Sequence, residues 1–95
     1  MFIVTITYPQ PIDAIEARTA EHREWLDQHV ASGLIVAAGP MVPRTGGVLV
    51  VSSALTKDAL ETLLKDDPFQ VHGLADYAVT EFKAGKLNPA LVPFA

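Results

Sequence analysis

Residues 34–51 read LIVAAGPMVPRTGGVLVV. Two short apolar runs, 34–39 and 48–53, lie either side of a few residues rich in proline and glycine. Each run is too short for a buried helix and is bounded by turn residues, so each predicts a strand, and together they predict a β-hairpin. Pro40 closes the first run, residues 41–45 form the loop, and Gly46 and Gly47 open the second.

Working outward from the hairpin, Gly33 is a natural C-terminal stop for a helical pattern over residues 13–32. Its apolar stripe is Ile15, Thr19, His22, Leu26 and Val30, at spacings of four, three, four and four. A neighbouring stripe runs Arg18, His22, Trp25, His29, which places His22 on the edge of the buried face. Upstream, residues 2–8 are rich in β-branched and aromatic side chains and end at Pro9 and Pro11, predicting a strand with Phe2, Val4 and Ile6 on one face. Downstream, Thr56 is placed to cap a second helix, with Leu55 and Leu60 at the positions of a hydrophobic staple. Pro68 ends that helix, and a short turn over 68–72 restarts with Asp67 as its cap and Gln70 where a capping box wants it. Residues 75–82 alternate as a last strand, and the tail over about 84–95 carries Leu87, Leu91, Val92 and Phe94.

The order is β-α-β-β-α-β, which predicts an α+β, ferredoxin-like fold: an antiparallel sheet with both helices on one face, in a single domain spanning residues 1–95. The first three strands carry apolar side chains on both faces. The uncovered face therefore calls for a partner, and a homodimer is the simplest solution, with the apolar tail packing at the joint.

A chain of 95 residues supports one core with a radius of gyration of roughly 12 Å. A site of any size is then open to solvent or shared with a second copy. Hydrophobic residues are 49% and charged residues 19%, which excludes intrinsic disorder. A net charge of −4 and a pI of 5.1 argue against nucleic acid and against anionic membrane surfaces. No apolar run approaches the about 20 residues that span a bilayer, and the N-terminus has no basic region or cleavage site of a secretory signal. There is no cysteine, which removes thiolate metal sites, iron–sulfur clusters and cysteine nucleophiles, and suits a cytoplasmic location.

His22 is the first candidate for chemistry, because a partly desolvated imidazole is the default general base or acid near neutral pH. Its bland reading is a core-edge histidine bonded to a carbonyl. Asp67 is the second: either a helix cap or the carboxylate that orients an imidazole from the first helix, and one carboxylate has acceptor sites for both. Trp25 either walls a substrate or packs. Arg18 and Arg23 are solvated charges or anion holders, and Tyr77 and Glu81 are pocket or surface. His29 is expected exposed and His72 in a loop. His22 and His29 lie two helical turns apart, a poor spacing for a shared metal, so no metal is expected. GxSxG, HExxH and P-loop patterns are lacking.

Taken in order, His22 with Trp25-Leu26, Gly33-Leu34, Ala38-Gly39-Pro40, Gly46-Gly47, Asp67-Pro68-Phe69, Gly73-Leu74 and Tyr77-Ala78-Val79 before Phe82 resemble the YciI/YCII-related family over about residues 1–83. The resemblance implies a dimeric α+β barrel. It implies His22 and Asp67 as a catalytic dyad in a pocket between the first helix and the sheet, with Trp25, Gly39, Pro40 and Phe69 on the substrate side. One family activity is dehydrochlorination of a chlorinated hydroxyhydroquinone without a cofactor. Ala78 and the short 41–45 loop depart from the family pattern. The expected function is thus a cofactor-independent lyase or isomerase-type enzyme moving a proton on a small aromatic or enolisable molecule. The alternatives are a muconolactone-isomerase-like or small monooxygenase-like enzyme, and a non-catalytic ligand-binding or accessory dimer.

Overall fold

A computed structural model describes residues 1–95. Strand β1 (Phe2–Thr7) is followed by helices α1 (Ile12–Glu16) and α2 (Thr19–Ala31), and then by the hairpin β2 (Ile35–Pro40) and β3 (Gly46–Val51). Helices α3 (Lys57–Leu64) and α4 (Pro68–Val71), strand β4 (Asp76–Glu81) and a 3₁₀ helix (Pro89–Phe94) complete the chain. The sheet order is β2-β3-β1-β4 and every neighbouring pair is antiparallel, the ferredoxin-like arrangement that the element order implies.

Strand alternation decides what faces the helices. Phe2, Val4 and Ile6 of β1 stand opposite Val51, Leu49 and Gly47 of β3, and Val4 and Ile6 stand opposite Val79 and Tyr77 of β4. With Ile15, Trp25, Leu60, Leu64 and Phe69 these side chains form the core. The other pleat face carries Ile3, Thr5, Val48 and Val50, all half-buried, with Ala78 exposed. Gly46 is obligatory for the β1–β3 pairing: a Cβ there would sit 1.9 Å from the Ile6 carbonyl oxygen.

The single helix expected over 13–32 is two. Arg18 leaves helical geometry at φ −116°, ψ 3°. The Ile15 carbonyl is occupied by the Arg18 N–H at 3.1 Å and by the Thr19 hydroxyl at 2.9 Å, a side-chain bond of the kind that bends helices. The first hairpin strand was expected buried, yet only Ile35 of β2 is; as the sheet edge it has a strand on one side only. Val30 is exposed too, at the end of the stripe.

The capping expectations hold at Thr56, whose Oγ1 accepts from the Ala59 N–H at 3.1 Å, and at Asp67. Gln70 closes no capping box, because the Asp67 N–H is taken by the Leu64 carbonyl. The tail turns back on its own chain. The Phe94 carbonyl accepts from the Ser53 N–H and from the Ser52 and Ser53 hydroxyls.

Candidate active site

Pro68 breaks the second helical region, and the residue before it takes an extended conformation. That residue is Asp67. Its Oδ1 caps α4 by accepting from the Phe69 N–H at 3.1 Å. The junction lies against α2, so Asp67 is wholly buried and meets a side chain 45 positions away: His22 Nδ1 is 2.7 Å from the same Oδ1. Oδ2 accepts from the Tyr77 hydroxyl of β4. One carboxylate therefore joins α2, α4 and β4.

The donors around Asp67 decide where the protons lie. The Phe69 N–H can only donate. The Tyr77 hydroxyl is held protonated, its pKa pushed far above the ordinary tyrosine range, first by burial, then by its bond to Asp67 and the neighbouring carboxylate charge. Asp67 is thus the acceptor on both oxygens, and the proton shared with His22 belongs on Nδ1. A neutral imidazole in that tautomer keeps its lone pair on Nε2, for which the protein supplies no hydrogen-bond partner. The ring is stacked on Phe69, centroids 4.0 Å apart and planes 9° from parallel, so Phe69 as well as Asp67 fixes its orientation.

His22 forms part of the wall of a cavity of about 350 Å³ between α2 and the β1–β3–β2 side of the sheet. Ile6, Leu26 and Leu49 make its apolar surfaces, and Phe69 and Tyr8 its aromatic ones. Tyr8 packs edge-on to Phe69 with centroids 5.8 Å apart. A cavity of about 150 Å³ suffices for benzene, so this one has room for a single substituted ring. Exposed Arg23, Asp27 and Arg44 stand on the same lining.

Of the residues singled out in the sequence, His22, Asp67, Gly39, Pro40 and Phe69 gather here, Asp67 behind His22 and the others on the lining. Trp25 does not reach the cavity. Three residues after His22, it turns into the core, with His29 edge-on to it at 4.8 Å and its indole N–H buried without a partner. His29 is half-buried by that contact rather than exposed. Arg18 is tied to Glu21, and His72 faces Glu21 at 3.9 Å. Glu81 is exposed at the far end of β4. No three His, Asp or Glu side chains cluster as metal ligands would. Tyr8 and Arg44 were missed, and Tyr77 was left undecided. Strand alternation held the signal for Tyr77, since it shares the helix-covered face with Val79.

The architecture is that of a ferredoxin-like α+β protein with a ring-sized cavity walled by a carboxylate-bound imidazole. The sequence profile of the YCII-related domain matches residues 1–83, and the chain belongs to that family. No curated protein sequence matches the chain significantly. Among solved structures it resembles the 5-chloro-2-hydroxyhydroquinone dehydrochlorinase of Burkholderia phenoliruptrix AC1100 in complex with 2,5-dihydroxybenzoquinone. The TM-score is 0.72 at 22% sequence identity, over 90% of this chain and 96% of that one. At that identity the likeness establishes the shared fold. No helix is long and apolar enough to cross a membrane.

Proposed function

We propose that the chain is a YCII-type lyase or isomerase that moves a proton on a small cyclic substrate without a cofactor. His22 Nε2 is the base. It takes a proton from a ring carbon or hydroxyl of the substrate, and the electron pair so released expels a leaving group in an elimination, or is reprotonated elsewhere in an isomerisation. Asp67 holds the ring in the tautomer that leaves Nε2 free and stabilises the imidazolium that forms. Tyr77 and the Phe69 N–H hold Asp67. Phe69, Tyr8, Gly39 and Pro40 position the substrate.

The observation that carries this reading is the 2.7 Å contact of His22 Nδ1 with wholly buried Asp67, beside a cavity that Nε2 has no protein partner to shield. Membership in the YCII-related family and the likeness to a dehydrochlorinase support the reaction class. The test is turnover of halogenated and hydroxylated hydroquinones by His22→Asn. Acid–base participation is worth about 10²–10⁴-fold, so the variant should lose at least that much while its melting temperature holds. Unchanged turnover contradicts the proposal.

The second pleat face supports a homodimer. Ile3, Val48 and Val50 form an apolar set without core contacts of their own, and back-to-back pairing of two sheets would bury it. Sedimentation should find a dimer at micromolar concentration; a stable monomer contradicts this part. The reading also places the cysteine-free chain in the cytoplasm.

A further inference from the structure

The cavity is lined unevenly in charge. Of the chain's three arginines, Arg23 and Arg44 both stand on this lining and no lysine does. Asp27 is the one carboxylate there, so the lining carries one cation in excess, in a chain whose net charge is −4. Arg23 follows His22 directly and makes no ion pair within 4.0 Å. Arg44 reaches across from the β2–β3 loop, with one guanidinium nitrogen 3.1 Å from Thr19 Oγ1 and another 3.8 Å from Glu16. Thr19 is three residues before His22 on the same helix and also lines the cavity. These contacts orient the Arg44 fork and leave donors unspent, since a guanidinium has five N–H groups. Toward Val30 and Ala38 the lining turns apolar.

We propose that the cavity takes a small flat ring bearing an anionic oxygen group, an ionised enol or a carboxylate, which Arg23 and Arg44 bind beside His22. The inference rests on the reading of the cavity as the reaction site and adds to it the charge of the substrate. The arginines draw in a ring already ionised at neutral pH and hold it by charge-assisted bonds. They also stabilise negative charge that develops on the ring when His22 removes a proton.

The test is titration calorimetry of the full-length chain with three single-ring probes. 2,5-Dihydroxybenzoquinone presents ionised enols, 2,5-dihydroxybenzoate a carboxylate, and hydroquinone an uncharged ring of similar size. At least one anionic probe should bind more tightly than hydroquinone, and its affinity should fall as ionic strength rises. Which anion binds better separates enol from carboxylate recognition. Arg44→Met and Arg23→Met should each weaken the anion by about 10- to 100-fold and leave hydroquinone unaffected. Arg23 has no ion-pair partner to lose, so its variant serves if Arg44→Met disturbs the loop. Equal affinity for charged and neutral rings, no binding of any probe, or unaltered affinity in both variants would overturn the inference. Binding is read without turnover, so these outcomes are separate from the His22→Asn result on which the proposed reaction stands.

Discussion

The two ends of the cavity are built on opposite principles. At the inner end, Asp67 is wholly buried, its oxygens are engaged by three partners, and every partner comes from a different element. At the outer end, Arg23, Asp27 and Arg44 are exposed, Arg23 makes no ion pair, and the contacts of Arg44 with Thr19 and Glu16 are solvent-screened. The inner end fixes one geometry, because a buried polar group that loses its partner is costly. The outer end selects by charge and yields to salt. Stability and chemistry should therefore be inseparable at Asp67 and separable at the arginines.

Asp67→Ala should do the most damage. It removes the α4 cap and leaves His22 Nδ1 and the Tyr77 hydroxyl without their acceptor, a loss of about 3–5 kcal/mol in chemical denaturation. Stability within about 1 kcal/mol of wild type would show that the inner end is no more rigid than the rim. Tyr77→Phe deletes one of the three donors and should cost about 1–2 kcal/mol. Tyr77 also predicts an alkaline weakness. Its folded pKa lies above the unfolded value of about 10, so the unfolded state loses its proton first and stability falls as pH rises beyond that value. Melting temperature should drop above about pH 10, and drop less in Tyr77→Phe; identical slopes would contradict the raised pKa of buried Tyr77. At the rim, Arg23→Met should leave stability within about 0.5 kcal/mol. The smallest effect belongs to Arg18→Ala, outside the cavity, whose exposed pair with Glu21 should also be worth about 0.5 kcal/mol or less.

Local chemistry made most of the fold legible. The hairpin announced itself through Pro40, Pro43 and the Gly46-Gly47 pair, and Pro68 marked the junction where Asp67 stands. The break between α1 and α2 was not legible, because every residue from Asp13 to Ser32 is a tolerable helix former and the break depends on a threonine hydroxyl winning a carbonyl. The edge position of β2 was equally hidden, since composition does not say which strands have two neighbours. His22 and Asp67 could be named because one lies on a stripe and the other at a proline. Their meeting, and Tyr77 joining them, depend on the β1–β4 register and on α4 packing against α2. Trp25 misled because residues three apart on a helix share a side but not a depth. Arg44 sits in a loop whose direction only the folded hairpin sets.

The proposed chemistry requires Asp67 to hold the His22 proton on Nδ1. Nitrogen-15 NMR of the neutral protein reads this directly. The His22 ring should show a protonated Nδ1, with a slowly exchanging, downfield N–H, and a bare Nε2; in Asp67→Asn that pattern should be lost. A proton found on Nε2, or a ring that titrates and tautomerises alike in both proteins, would contradict it.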